Sequence, residues 1–453
     1  MDIGEPVSIA MPEPERPSDP KEEDNKKHVK IRFCIFFDGT CNNRVNTLGR
    51  LGQSEAYLED KGKKDQAKSA SYENDFTNVN KMELHVDIAG APPPGYDFLL
   101  ATYIEGPGTT NNGSDSTLGY GIGMGATGVR EKVKKGVLDV VNKIGEKLPD
   151  KAENIIDRLT LDVFGFSRGA AAARNFIHEA LFGSAALRTQ LEAQGYTLAP
   201  TGPDTGVDVC FAGLFDTVSS YGLGFIFGDG NNTKSLKLHA VKHAKTVLHL
   251  VAAEEHRENF SLTDITSAGK KGREIYLPGV HSDVGGSYCN AKPEEHAIYA
   301  GRDAQRAAED RAQLLAAGWF REREITLNEF GSIEEDFVTL RVNRATISNG
   351  YSRIPLHIMA RFARDNGIVF RNDLDRAEEI PPELCAINGV DGVKEKIDAY
   401  IANTPQSKAE DWHHSEAWLR SLRHNHLHFS AKHEFGLKPR YIKGKRCRLI
   451  YDG

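Results

Sequence analysis

Three side chains of this sequence have the types and the order needed for acyl transfer. Ser167 lies in Gly165-Phe166-Ser167-Arg168-Gly169, Asp216 follows Phe215 in GLFDTV, and His281 opens HSDVGG. A serine hydroxyl becomes a nucleophile when a neighbouring base takes its proton, and a histidine serves as that base when a carboxylate fixes its tautomer. A bare G-x-S-x-G pentapeptide is also an ordinary helix-capping turn, so its flanks carry the meaning. Before it, residues 159–164 (LTLDVF) alternate with period two, which argues a strand. After it, four alanines at 170–173 and Arg174 favour helix. Strand, sharp turn and helix would lift the Ser167 hydroxyl clear of a sheet edge and aim the Arg168 N–H at a developing oxyanion. Glycines at 165 and 169 allow the close approach such a turn needs. A second donor set is expected in the Asp38-Gly39 turn, which follows another apolar run; an ordinary strand–helix turn is the competing reading. Asp283, two residues beyond His281, is a possible second acid and competes with Asp216.

These groups need elements to hold them. Residues 28–37 (HVKIRFCIFF), 98–105 (FLLATYIE), 208–215 (DVCFAGLF) and 274–280 (EIYLPGV) read as core strands, the last being the final clear one. Asp216 and His281 both fall just past a strand end. Residues 126–148 carry one apolar stripe, Val129, Val133, Val137, Val140, Ile144 and Leu148, and read as a helix. Residues 238–257 read as a helix too, with Val241, Ala244, Val247, Leu248, Val251 and Ala252 on one face. Helices are also expected from Thr77, over 294–317, and over 349–366 after Pro355. Residues 44–71 read as a polar surface loop. The Gly-rich stretch 106–125 lacks G-x-x-x-x-G-K-[ST], so a mobile substrate-side loop is preferred over a phosphate cradle. The stretch 221–230 (YGLGFIFGDG) is either loop packing or an apolar lip built from Leu223, Phe225, Ile226 and Phe227. Together these segments give the fold class as α/β, a mostly parallel sheet flanked by helices, with cap or insertion segments at about 185–205, 221–245 and 290–345.

Composition narrows the partners. The chain has 453 residues, 39% hydrophobic and 27% charged, and a formal net charge of −7, which argues against nucleic acid as the main partner. No apolar run is long enough to span a bilayer, and no basic stretch followed by an apolar core marks a secretory leader. The six cysteines lack CxxC spacing and read as reduced thiols of a protein made in the cytoplasm. Residues 1–29 read as a flexible tail, 30–430 as the folded unit, and 431–453 as a basic segment. That segment reads as a solvated face, with anionic lipid as the alternative. The histidines between 411 and 433 match no metal-ligand spacing, and neither metal nor other cofactor is expected.

Four signatures stand together: FFDGTCNN from Phe36, GFSRGAAAAR from Gly165, GLFDTV from Gly213 and LPGVHSDVGGSY from Leu277. In combination they resemble the bacterial α/β-hydrolase family that includes the type VI secretion phospholipase effectors of the first Tle group. Echoes such as YIEGPGT, AEEHRENF, YSRIPLHIMA and HFSA extend the resemblance over about residues 31–430. It implies a lipid esterase of phospholipase A type with a Ser167–Asp216–His281 triad and toxicity to rival bacteria. It also implies a phospholipid substrate at a membrane surface, a cognate immunity protein, and delivery by a VgrG-type spike into the target periplasm. A hydrolase of soluble esters or thioesters, and a non-catalytic hydrolase-fold binding module, are the alternatives.

Overall fold

The computed structural model describes residues 26–62, 69–116, 125–184, 186–202, 204–219, 232–332 and 335–453; from 330 to 336 it describes no side chain. The first apolar run forms β1 (Lys27–Phe37). Ile31, Phe33, Ile35 and Phe37 join the core on one face of the sheet, and Cys34 and Phe36 join the core on the other. Beside it run β2 (Phe98–Ile104) and β3 (Asn154–Phe166). Then come β4 (Thr197–Leu198), β5 (Gly206–Phe215), β6 (Ala244–Ala252) and, after the short β7 (Leu262–Thr263), β8 (Gly272–Leu277). The order is β2-β1-β3-β5-β6-β8, with β4 on β3, and every pairing in this seven-stranded sheet is parallel.

A parallel sheet needs crossovers, and these bring helices to both faces. On one face α5 (Val129–Lys147) buries Val133, Val137 and Val140, and α6 (Arg168–Phe182) buries its alanines and Phe176 against Phe33, Ile35 and Phe37. On the other, α4 (Asn78–Leu84) and α10 (Arg353–Asp365) cover Phe36, Phe164, Phe211 and Phe215. The Phe36 and Phe164 rings stack at 4.5 Å between neighbouring strands. Among the described residues no helix is long and apolar enough to cross a membrane.

Several expectations are corrected. Residues 238–257 are not a helix: a 3-10 turn at Leu238–His243 leads into β6, which is central in the sheet. Val247, Leu248, Leu250 and Val251 are fully buried because both faces of β6 are covered. A strand buried on both sides shows no alternation, and its apolar run imitates a helical stripe. The described residues of 44–71 are not a loop but hold α1 (Arg44–Leu51), α2 (Glu55–Gly62) and the start of α3 (Ala70–Glu73). Their apolar signal is weak because the buried face is partly polar: Asn46 Nδ2 donates to Ser71 Oγ at 2.9 Å and to the Thr110 carbonyl at 3.1 Å. That contact also ties down the described part of the Gly-rich stretch, 106–116, where Ser71 N–H donates to Asp115 at 2.9 Å; none of residues 106–116 lines the cleft that Ser167 and His281 share, described below. β8 is not the last strand. β9 (Lys292–Gly301), β10 (Ile325–Ser332) and β11 (Glu335–Ile347) form an antiparallel sheet in the order β10-β11-β9. The helix expected over 294–317 therefore starts only at α9 (Ala304–Ala317), after β9, capped by the Asp303 side chain on the Arg306 N–H.

Candidate active site

The carboxyl ends of β1, β3, β5 and β8 meet at one edge of the sheet, the edge where open α/β sheets carry their ligand sites. Ser167 follows β3 directly with φ 59° and ψ −128°, left-handed backbone that a serine rarely adopts. It is held there by its N–H on the Phe215 carbonyl at 3.0 Å, while its own carbonyl accepts from Ala170 at 3.0 Å. The glycines are required sterically. A Cβ on Gly165 would lie 2.5 Å from the Gly169 carbonyl oxygen, and one on Gly169 would overlap the Phe37 and Asp38 carbonyls.

Asp216 follows β5 and is fully buried, with φ 43°. Its Oδ2 meets His281 Nδ1 at 2.5 Å, and its Oδ1 accepts the Ala252 N–H at 2.9 Å. His281 opens the short helix α8 (His281–Gly285) after β8. The Phe166 ring lies 4.6 Å from the imidazole and Phe260 meets it edge-on at 5.0 Å. With Nδ1 donating to the carboxylate, Nε2 is left as the proton acceptor. Burial lowers the His281 pKa below its ordinary 6.5, and the Asp216 hydrogen bond and charge offset part of that drop. Ser167 and His281 line the same cleft without hydrogen bonding to one another.

Asp283, the competing carboxylate, faces a different imidazole. Its Oδ1 meets His428 Nδ1 at 2.8 Å, and its Oδ2 accepts the Val280 N–H at 3.0 Å. His428 also lines the cleft, its ring stacked on Tyr288 at 3.8 Å. The donors expected in the Asp38-Gly39 turn need correction. Asp38 N–H is spent on the Ile104 carbonyl at 2.9 Å, and Gly39 N–H on the Asp38 carboxylate at 2.7 Å. That carboxylate also takes Thr77 Oγ1 at 2.7 Å and the Tyr103 hydroxyl at 2.6 Å, so Asp38 braces the loop from within. Burial pushes its pKa up to about 6 despite these bonds. Among the described residues the next N–H, that of Thr40, donates to none, and Thr40 lines the cleft beside Ser167 and Arg168.

Two charged groups around the Asp216–His281 pair are not among the expected site residues. Glu255, fully buried, accepts the His281 N–H at 3.2 Å and pairs with Arg257 at 2.7 Å. Burial alone would raise its pKa; Arg257 and the neighbouring cations hold it well below the usual carboxylate range. Arg448, from the stretch expected to be a solvated basic face, is buried against Asp216, with Nη1 on Oδ1 at 2.6 Å and Nη2 on Oδ2 at 2.9 Å. Burial again acts against the Asp216 charge, and Arg448 and His281 outweigh it, so this carboxyl also lies below its usual range. Glu255 lies in AEEHRENF, which carries only an echo of the family resemblance, and nothing near Arg448 in the sequence points to Asp216.

The cleft encloses about 1060 Å³. Phe260, Phe429, Phe435 and Leu437 give it apolar walls, and charges of both signs line it, Lys292 and Lys432 among Glu73, Glu295 and Glu434. The stretch 221–230, with its lip residues, lies outside the described residues. Among the described residues no group of three or more His, Cys, Asp or Glu side chains is placed to hold a metal ion. His424, from the histidine-rich stretch, pairs with Glu324 at 2.9 Å.

Residues 182–305 match the family model described as the catalytic domain of the Tle1-like type VI secretion phospholipase effectors. The matched stretch includes Asp216 and His281 and begins after Ser167. The fold is similar to the solved structure of the Tle1 effector bound to the VgrG spike of the type 6 secretion system. That likeness has a TM-score of 0.61 at 20% identity and covers 94% of each chain. A second similar structure is an uncharacterized protein from Pseudomonas aeruginosa, with TM-score 0.45, 17% identity, and coverage of 86% of this chain and 52% of the other. No curated protein matches the sequence.

Proposed function

We propose that this chain is a Tle1-like type VI secretion effector, a reading supported by the match of residues 182–305 to that family's catalytic-domain model, and that it hydrolyses acyl esters of membrane phospholipids, as a phospholipase of A type. The observation that carries this reading is that Ser167, on its strained turn, and His281, paired with the buried Asp216, line one cleft.

His281 Nε2 takes the Ser167 proton as Oγ attacks the ester carbonyl, and the imidazolium stays paired with Asp216. The N–H groups of Arg168 and Thr40 hold the oxyanion. The imidazolium then protonates the departing lysophospholipid oxygen, leaving an acyl-enzyme. Water, deprotonated by His281, attacks that ester, and the fatty acid leaves as Ser167 recovers its proton. A cleft with apolar walls and charged groups of both signs suits an amphiphile with an acyl chain and a polar head. On this reading the protein is carried by a VgrG-type spike into the periplasm of target bacteria, and its producer holds a cognate immunity protein.

Fatty-acid release from vesicles of defined phospholipids tests the function, with wild type and Ser167→Ala compared. The expected result is release by wild type and a loss of roughly 10⁴-fold or more in the variant. An active, folded Ser167→Ala protein removes the triad. A wild type that cleaves short soluble esters or thioesters but no vesicle removes the lipase reading and leaves a soluble-substrate hydrolase. Inactivity on all of them leaves a binding module.

A further inference from the structure

Arg448 lies 232 positions along the chain from Asp216, yet its guanidinium covers both carboxylate oxygens. Its Nε donates to the Phe260 carbonyl at 2.7 Å and its Nη1 reaches the Ala252 carbonyl at 3.4 Å. One planar fork thus grips the carboxylate, the end of β6 and the residue whose ring lies against His281.

The segment that delivers it is stitched in. β12 (Ile450–Tyr451) pairs in parallel with β7, Ile450 opposite Leu262 and Tyr451 opposite Thr263. The Leu262 N–H donates to the Leu449 carbonyl at 2.9 Å, and the Gly453 N–H to Asp264 Oδ1 at 2.8 Å. β7 is tied in turn to the loop that follows the acid, since the Thr263 N–H donates to the Thr217 carbonyl at 3.0 Å. Residues 447–453 therefore form a strap bonded to the strand that braces the Asp216 loop.

Resting on the triad reading above, we propose that Arg448 is a positioning residue for the reaction: the strap carries it in to hold the Asp216 carboxylate in the one orientation that aligns His281. Bidentate arginine–carboxylate geometry fixes the carboxylate plane, which a single ammonium cannot do. Charge balance supports the same role. Around His281 stand Asp216 from the turn after β5, Glu255 and Arg257 from the segment between β6 and β7, and Arg448 from the strap. Asp283, on the helix of His281 itself, is turned to His428, which lies by Tyr288. Two carboxylates face two guanidinium groups, so the site is balanced while His281 is neutral, the form a general base requires.

Arg448→Met and Arg448→Lys test this in the full-length chain on a short soluble ester, alongside Ser167→Ala and an NMR titration of the His281 imidazole. In Arg448→Met, kcat falls at least roughly tenfold while KM changes little. Both the acid limb of kcat/KM and the His281 titration move to higher pH, because a cation beside the imidazolium has gone. Arg448→Lys keeps the titration near that of wild type but restores kcat only in part. A folded Arg448→Met with wild-type kcat and titration overturns the proposal. If that variant does not fold, Arg448→Lys decides: lowered kcat with an unmoved titration supports positioning, and wild-type kcat overturns it. Full activity in Ser167→Ala would sink the triad reading instead, and the His281 titration would still report on Arg448.

Discussion

Which of two carboxylates serves His281 is a matter of hydrogen bonds, not of nearness along the chain. Asp283 is two residues away and bonds to His428, whereas Asp216 is 65 residues away and bonds to His281 Nδ1. The two should therefore fail differently. Asp216→Asn should lower kcat/KM by about 10⁴-fold with little loss of fold, because the imidazole loses the partner that sets its tautomer. Asp283→Asn should cost stability, since it weakens the His428 pair and the bond to the Val280 N–H, and should lower turnover less than about tenfold. Steady-state kinetics with melting curves for both variants checks this; the opposite ranking would hand the acid's role to Asp283. Ser167, Asp216 and His281 could be picked out from sequence because each follows an apolar run that ends in a turn. Glu255 and Arg448 could not, since one charged side chain looks like another until its partner is known.

The turn around Ser167 is the element in which local sequence and tertiary packing agree most closely. Two opposing effects meet at Gly169. Alanine there would gain about 1 kcal/mol of helix propensity in α6. Against that, its Cβ would overlap two backbone carbonyls at the end of β1, which cannot move aside as a side-chain tip would. Overpacking costs about 1–3 kcal/mol or more, so the overlap wins. Gly169→Ala should be destabilised in urea unfolding and should lose activity through displacement of Ser167. A neutral or stabilising result would mean that α6 and the β1 loop approach less closely. β6 is one of the elements whose pattern misleads, and the cause is physical. Periodicity reports how many faces are buried, and a strand buried on both faces has no period-two signal to give.

At the scale of the whole molecule, buried carboxyl groups make stability depend on pH in two windows of opposite sign. Asp38 has a folded pKa raised from 3.8 to about 6, so the folded protein holds its proton more tightly than the unfolded chain. Its contribution is therefore most favourable below the unfolded value and is lost as pH rises through about 6, a swing of about 3 kcal/mol. Asp216 and Glu255 have folded values below their ordinary ones, so their contributions are present above the unfolded values and are lost only in stronger acid. Between pH 4 and 7, then, the stability of wild type relative to Asp38→Asn should rise as pH falls. Unfolding measured at several pH values checks it, and a flat or reversed difference would show that Asp38 is not held neutral by burial. The sequence by itself determined what depends on neighbours: the alternation that makes β1 and β3, the glycines and alanines of the turn at Ser167, and polar residues set just past strand ends in the order Ser167, Asp216, His281. Only the tertiary structure decided that residues 244–252 are a central strand, that His281 faces Asp216 while Asp283 faces His428, that the Asp38 and Gly39 N–H groups are already bonded, and that a strap from the far end of the sequence brings Arg448 to the acid. Local patterning encodes how much of an element is buried. Which donor meets which acceptor depends on chain segments as far apart as Arg448 and Asp216, 232 residues, or Arg32 and Gly367, 335 residues, and is set only when the elements pack.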